Sequence, residues 1–195
     1  MTLGTKQPIV LASGSPRRSE LLKSAGYTFR VIVPDDSVEE AVDKSLQPIE
    51  FVVEAAFQKA HSVAIQLKNE IVIGADTVAE CEGNIIGKPR DRNHAAEILK
   101  TMSGTRHAVH TGVCVWNCVN GEFLKSAYTT ILDMDPLSED WLERYLDSGL
   151  WQGKAGAFGY QDGLDWIRIV EGLESNVVGL PVEELPTLVA NLSAG

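Results

Sequence analysis

Short apolar runs alternate with helical apolar stripes along this chain of 195 residues. The run Ile9, Val10 and Leu11 predicts a strand over residues 7–12, and residues 29–33 and 71–78 have the same character. Apolar residues at i, i+3 and i+4 spacing predict helices over residues 16–25 and 49–67. Alternating strands and helices indicate an α/β fold, and we expect a long central mixed β-sheet flanked by helices.

The second half of the chain has longer strands. Residues 106–119 and 123–134 read as two strands joined at Asn120 and Gly121, a dipeptide that favours a β-hairpin. Helices are predicted over residues 92–102 and 138–149 and after Pro181, a glycine-rich loop over 153–159, and a strand over 164–170. Because no repeat or long linker interrupts this order, we expect a single domain over residues 1–195, either as one large unit or with two lobes.

Composition and charge exclude several classes of partner. The chain is 44% hydrophobic and 23% charged, as in ordinary globular proteins. Its net charge of −10 disfavours a nucleic acid partner, because proteins that bind nucleic acids usually present a basic face. No apolar stretch approaches the ~20 residues of a membrane span, and the first residues lack a signal-peptide pattern. We therefore expect a cytoplasmic protein with no membrane partner.

The cysteines do not predict a metal centre. His110, Cys114 and Cys118 fall on one face of a predicted strand, where positions four residues apart are separated by ~13 Å. That distance is too long for them to share a zinc ion. An odd number of cysteines without regular spacing suits a reducing compartment, and we expect these side chains to lie in or near the core.

A turn between a strand and a helix suggests a phosphate site. Ser15 is a good N-cap and Pro16 suits the first helical position, yet Arg17 and Arg18 follow in the first turn. Positive charge at a helix N-terminus opposes the helix dipole, unless an anion binds there. The turn therefore favours a phosphate cradle, although an ordinary turn with two solvated arginines fits the segment equally well.

Acidic and basic side chains elsewhere extend this hypothesis. Asp76 lies in a strand of small and apolar residues, where a carboxylate needs a cation as a partner, and Lys88 follows a predicted hairpin. Lys59 lies close to the apolar stripe of the long helix, so it either reaches water or points into a cleft. Glu39 or Glu40 could hold Mg²⁺ together with Asp76. A structural ion pair at the sheet edge explains Asp76 and Lys88 equally well.

Five segments together resemble the Maf family of nucleoside triphosphate pyrophosphatases, also called septum-formation inhibitor proteins. They are residues 11–18 (LASGSPRR), 74–77 (GADT), 87–91 (GKPRD), 154–161 (KAGAFGYQ) and 176–181 (NVVGLP). The resemblance covers nearly the whole chain. It implies a two-lobed fold like that of the ITPases, with the active site in the cleft between the lobes, and members are often homodimers. It also implies hydrolysis of a nucleoside triphosphate to the monophosphate and pyrophosphate with a divalent cation, Mg²⁺ or Mn²⁺.

The resemblance also implies roles for individual residues. Asp76 is the catalytic residue, as a general base or as a ligand of the metal that activates water. Glu40 is expected to help hold the metal, although Glu39 is the alternative. The substrate phosphates are expected to contact Ser13, Arg17, Arg18, Lys59 and Lys88.

Three positions imply the substrate. Members that resemble this chain at Arg17, Thr77 and Gln161 act on dTTP and UTP, whereas the branch that acts on 7-methyl-GTP tends to have Trp, Gln and Glu there. A glutamine amide can pair with a pyrimidine edge through its donor and its acceptor. We therefore expect a dTTP/UTP pyrophosphatase. The alternatives are a 7-methyl-GTP pyrophosphatase and a nucleotide-binding regulator of septum formation with little turnover.

Overall fold

The computed structural model describes residues 5–35 and 37–192, which contain a seven-stranded mixed sheet. Its strands are β1 (Ile9–Ala12), β2 (Phe29–Val31), β3 (Ile71–Cys81), β4 (Asn84–Ile86), β5 (Arg106–Asn117), β6 (Phe123–Met134) and β7 (Ile167–Glu171). Six of them lie in the order β2-β1-β3-β5-β6-β7, and β4 pairs with β3. β1 is parallel to β2 and β3, whereas the remaining pairs are antiparallel. The predicted α/β fold with a mixed sheet is confirmed.

Helices cover both faces of this sheet. They are α1 (Pro16–Ser24), α2 (Ser37–Glu40), α3 (Pro48–Ala64), α4 (Arg92–Met102), α5 (Glu139–Ser148), α6 (Glu174–Val178) and α7 (Leu185–Leu192). α3 packs on the face formed by Val10, Val72 and Cys114, whereas α1 and α7 pack on the opposite face, against Ile71 and Ile73. Among the described residues, no helix is long and apolar enough to cross a membrane. The division of the domain into two lobes stays a prediction.

Two glycines let α3 approach the sheet closely. A Cβ atom on Gly74 of β3 would lie 2.3 Å from the carbonyl oxygen of Ala56, and one on Gly112 of β5 would lie 2.1 Å from that of Val52. Any other residue at these positions would push the helix away from the sheet. This contact fixes the distance between α3 and the face of β3 that carries Asp76, two residues after Gly74.

One edge of β3 is covered at both ends and open in the middle. β1 pairs with it as far as Gly74, and β4 pairs with it again from Ala79. Residues 75–78 therefore face a gap between these two strands. Because β1 ends beside this gap, the turn that leads into α1 is delivered to the same place.

Short helices are the main difference from the sequence prediction. The acidic stretch predicted as a loop forms α2, of four residues, and α6, of five residues, was not predicted at all. The glycine-rich loop contains two short 3₁₀ turns, Ala155–Ala157 and Tyr160–Asp162. Helices of one turn are too short to show an apolar period, since they depend on tertiary contacts rather than on their own sequence.

Candidate active site

A cleft of about 590 Å³ opens at the gap in the β3 edge. Its walls come from the turn before α1, from α2 and α3, from β3 and the segment after β4, from the glycine-rich loop and from the end of α6. The polar side chains that line it include Ser13, Arg17, Arg18, Glu39, Lys59, Asp76, Thr77, Lys88, Lys154 and Gln161. The structure therefore brings together the residues predicted for the site, with the exception of Glu40.

The turn before α1 is organised by Ser13 rather than by Ser15. Ser15 is the N-cap of α1 and Pro16 its first residue, as predicted, but the Ser15 side chain makes no cap hydrogen bond. Instead, Ser13 Oγ accepts from the backbone N–H of Ser15 at 3.2 Å and from Nη1 of Arg18 at 3.1 Å. Because both lone pairs of the Ser13 hydroxyl are engaged, its proton is left to donate to a ligand in the cleft.

The two arginines of α1 have different environments. Arg17 donates to the carbonyl oxygen of Gly153 at 3.2 Å at the exposed border of the cleft. Arg18 is only 9% exposed and donates to Gly179 O, Ser13 Oγ and Thr77 Oγ1. Burial lowers the pKa of Arg18, an effect that the charge of Asp76 opposes. Arg18 thus holds three parts of the cleft together, while its role as a phosphate ligand stays a prediction.

Lys59 joins two carboxylates across the cleft. Its Nζ lies 2.6 Å from Asp76 Oδ1 and 2.6 Å from Glu39 Oε2. The side chains of Asp76 and Lys59 are 8% and 12% exposed, whereas that of Glu39 is 47% exposed. The lysine predicted to lie near the apolar stripe of α3 therefore points into the cleft, because α3 lies so close to the sheet.

Glu39, and not Glu40, is the acid of α2 that reaches this group. Glu40 is exposed and is absent from the described residues that line the cleft. Successive residues of a helix point about 100° apart, so only one of the two acids can face Lys59. Burial acts to raise the pKa of Glu39, but the hydrogen bond and charge of Lys59, with Lys88 and Arg18 nearby, hold that pKa below its ordinary value. The structure thus favours Glu39, the alternative in the sequence analysis.

Two cleft residues are anchored by neighbours that the sequence analysis did not identify. Thr77 Oγ1 lies 2.9 Å from Thr111 Oγ1 and accepts from Arg18. Lys154 forms an ion pair with Asp162 beside Gly159. Asp162 follows the glycine-rich block, and Thr111 is one of several polar residues of β5, so neither position gave a clear signal in the sequence.

Gln161 and Lys88 are exposed at the border of the cleft. Gln161 lies in the second 3₁₀ turn of the glycine-rich loop, and Lys88 follows β4 as the hairpin returns towards Asp76. Because both side chains are already exposed, they can contact a ligand in the cleft without breaking buried contacts.

The carboxylates of the cleft supply some, but not all, of the ligands that a hard divalent cation needs. Asp76 and Glu39 converge on one point, and Mg²⁺ is commonly held by one or two carboxylates together with substrate phosphates and water. Among the described residues no group of three or more His, Cys, Asp or Glu side chains could hold a metal. A cation here would therefore depend on a bound substrate for its other ligands. His110 contacts Thr129 and Glu80, Cys114 is buried and Cys118 is half-buried, so the cysteines lie in or near the core as predicted.

A mixed α/β sheet whose edge opens onto hydroxyl, guanidinium, ammonium and carboxylate groups defines an enzyme that acts on a phosphorylated substrate. The chain belongs to the Maf family, described as Maf-like protein, whose profile matches residues 8–192. The resemblance seen in the sequence is confirmed.

Curated relatives cover almost the whole chain. It is 46% identical over 186 residues to a dTTP/UTP pyrophosphatase of Rhodopirellula baltica, across 95% of this chain and 82% of that protein. It is 41% identical over 182 residues to a dTTP/UTP pyrophosphatase of Pelotomaculum thermopropionicum, across 93% and 94% of the two chains. A HAM1 protein from Coxiella burnetii has a similar fold, with a TM-score of 0.51 and 15% identity over 95% of this chain and 99% of that one.

Proposed function

We propose that this chain hydrolyses dTTP and UTP to the monophosphate and pyrophosphate. The observation that carries the proposal is the position of Asp76, a carboxylate within a cleft lined by Ser13, Arg17 and Lys88. A carboxylate beside phosphates is repelled by them unless it acts on the reacting water or holds a cation, and both roles suit hydrolysis. The names of the relatives support the same reaction and the two substrates.

The phosphates bind at the turn before α1 in this proposal. The Ser13 hydroxyl donates to a phosphate oxygen, and Arg17, Lys59 and Lys88 supply positive charge around the chain of phosphates. Charged donors of this kind are roughly twice as strong as neutral ones. They also stabilise the negative charge that builds up on the leaving pyrophosphate.

Asp76 acts on the attacking water. Lys59 occupies Oδ1 of its carboxylate at 2.6 Å, and we assign the second oxygen, Oδ2, to the proton of the water. The water oxygen forms a bond to the α-phosphorus, the bond from that phosphorus to the bridging oxygen breaks, and pyrophosphate leaves. Asp76 and Glu39 are the residues that would hold a divalent cation, which supplies charge neutralisation on the phosphate oxygens when bound.

Base selection is assigned to Arg17, Thr77 and Gln161. Gln161 offers a donor and an acceptor to the edge of a pyrimidine. Thr77 has its hydroxyl engaged with Arg18 and Thr111, so we infer that it shapes the cleft through these contacts.

A cytoplasmic location, a homodimer and the absence of nucleic acid binding remain predictions. Light scattering of the purified protein tests whether it forms a dimer.

A nucleotide panel tests the proposal. The purified protein is incubated with Mg²⁺ or Mn²⁺ and dTTP, UTP, CTP, GTP or 7-methyl-GTP, and pyrophosphate release is measured. We expect selective cleavage of dTTP and UTP. Preference for 7-methyl-GTP would contradict the roles given to Arg17, Thr77 and Gln161. Binding without turnover of any nucleotide would instead support a regulator.

A further inference from the structure

A row of buried polar side chains crosses the sheet beneath the cleft, on the face opposite to α3. Thr77, Thr111 and Thr130 project from β3, β5 and β6, and Asn176 of α6 lies over them. Thr111, Thr130 and Asn176 are each 0% exposed. Buried polar groups are costly unless they are hydrogen-bonded, so such a row needs a physical explanation. We call these four residues the polar relay.

The first part of the polar relay is a directed chain of hydrogen bonds that starts at Arg18. Arg18 Nη2 donates to Thr77 Oγ1 at 3.1 Å, and Thr111 Oγ1 donates to the carbonyl oxygen of Asn176 at 3.0 Å. The two threonine hydroxyls are 2.9 Å apart. Thr77 Oγ1 has a second, longer acceptor in Gly179 O at 3.4 Å, but because Thr111 gives its one hydroxyl proton to Asn176 at 3.0 Å, the shorter contacts favour Thr77 as the donor to Thr111. The charge of Arg18 therefore polarises a chain that ends on α6.

The second part of the polar relay fastens α6 to β5 and β6. Asn176 Nδ2 donates to Val109 O at 3.0 Å and to Thr130 Oγ1 at 2.9 Å. Thr130 Oγ1 in turn donates to the carbonyl oxygen of Leu173 at 2.9 Å and accepts from its N–H at 3.1 Å. A helix of five residues is not stable by itself, so these contacts determine where α6 lies.

α6 and the residue after it form a wall of the cleft. Val177, Val178 and Gly179 line it, and Gly179 O accepts from Arg18 Nε at 2.8 Å. Gly179 has a φ of +125°, a conformation that other residues rarely adopt, and a Cβ here would lie 3.4 Å from Arg18 Nε. Arg18 is thus held between Gly179 and Thr77, and it donates to Ser13 from that position.

We propose that Thr111 and Asn176 are positioning residues for the reaction, although neither is among the described residues that line the cleft. Through Arg18 they fix the Ser13 hydroxyl, and through α6 they fix the cleft wall opposite Asp76. This inference rests on the proposed nucleotide hydrolysis. It also gives a physical role to residues 176–181, a segment to which the sequence analysis assigned no function.

The isosteric variant Thr111→Val tests the inference, because it removes the donor to Asn176 and the acceptor for Thr77 while keeping the shape of the side chain. We expect a folded protein whose Tm falls by about 2–4 °C. We expect kcat/KM for dTTP to fall about tenfold, mainly in kcat, since a small displacement of positioned groups slows the chemical step. Thr111→Ser keeps the hydroxyl and should restore kcat to within about twofold of the wild type.

Thr105→Val is the matched control. Thr105 Oγ1 donates to the carbonyl oxygen of Met102 at 2.7 Å, outside the polar relay, so this variant also loses a hydroxyl bonded to the backbone. Because Thr105 is half-buried whereas Thr111 is fully buried, the control should lower Tm by a smaller amount and leave kcat unchanged. An equal loss of kcat in both variants would show that Thr111 contributes only to stability, and would overturn the inference.

A double variant tests the route through Ser13. If Thr111 acts through Arg18 and Ser13, adding Thr111→Val to Ser13→Ala should lower kcat/KM by less than about twofold further. Full additivity would contradict this route, as would a folded Thr111→Val enzyme with wild-type kcat/KM. If Thr111→Val does not fold, Thr130→Val carries the same expectations. A wild-type protein that turns over no nucleotide would contradict the proposed function instead.

Discussion

Asp76 and Thr77 are neighbours on β3, yet the two faces of the sheet on which they lie differ in chemistry. The face under α3 carries charges at the cleft, where Asp76 and Glu39 share Lys59 and Glu39 is 47% exposed. The face under α6 carries the polar relay, which is neutral beyond Arg18 and largely buried. On the charged face Glu39 thus remains in contact with water while Asp76 and Lys59 are 8% and 12% exposed, whereas Thr111, Thr130 and Asn176 lie in the dry interior.

Energetics explain why this division is useful. The contact of the half-exposed Glu39 with Lys59 contributes little to stability, about 0–1 kcal/mol, so Glu39 can exchange this partner for another at small cost. A buried hydroxyl without its partner costs about 1–3 kcal/mol, so the polar relay favours a single arrangement. Substitution of Glu39 should therefore change activity more than stability, whereas substitutions in the polar relay should change both.

The largest effect is expected from Asp76→Asn. This variant keeps the size of the side chain and removes the base, so we expect kcat to fall by about a thousandfold or more. Asp76 and Lys59 are largely buried, but Asn can still accept a hydrogen bond from Lys59 and Glu39 keeps the lysine charge paired, so we expect the free energy of unfolding to fall by about 1–3 kcal/mol. Pyrophosphate release and urea denaturation measure the two quantities. A folded variant with near-normal turnover would remove Asp76 from its role.

A smaller loss is expected from Lys59→Met. The variant removes a positive charge from the phosphates, and we expect kcat/KM for dTTP to fall about a hundredfold. Lys59 and a metal ion draw on the same two carboxylates, so calorimetry should show tighter Mn²⁺ binding by the variant. Lys125→Met is the control, because Lys125 lies over the ring of Phe57, outside the cleft. Weaker Mn²⁺ binding by Lys59→Met would mean that Lys59 organises the carboxylates rather than competing for them.

The smallest effect distinguishes two adjacent acids. Glu39→Gln should lower kcat/KM about tenfold, because it removes one of the two carboxylates that converge on Lys59. Glu40→Gln, on the exposed side of α2, should remain within about twofold of the wild type. Titration with Mn²⁺ in both variants checks the cause. The opposite ranking would restore Glu40 as the metal ligand.

Much of the fold was predictable because its larger elements have clear periods. α3 and α4 show regular apolar stripes, and the hairpin of β5 and β6 has its turn dipeptide at Asn120 and Gly121. The bounds of α4 agree with the prediction at both ends, and its first turn is capped by Asp91, whose side chain accepts from the backbone N–H of His94. α2 and α6 could not be predicted, because tertiary contacts rather than local sequence keep such short helices in place.

The sequence predicted which residues form the candidate site better than it predicted the contacts between them. Types and spacing of residues indicated Arg17, Lys59 and Asp76, and the structure brings them to one cleft. The choice between Glu39 and Glu40 depended on how α2 is rotated, which an acidic stretch does not encode. The burial of Arg18 involves its contact with Gly179, which lies 161 positions away in the chain, so local sequence could not predict it.

Isotope transfer from water tests the central claim most directly. dTTP is hydrolysed in water enriched in ¹⁸O, and the products are analysed by mass spectrometry. Attack of water on the α-phosphorus predicts label in dTMP and none in pyrophosphate. Label in pyrophosphate would place the attack on the β-phosphorus, and release of orthophosphate would mean that a different bond is broken; either result would contradict the account.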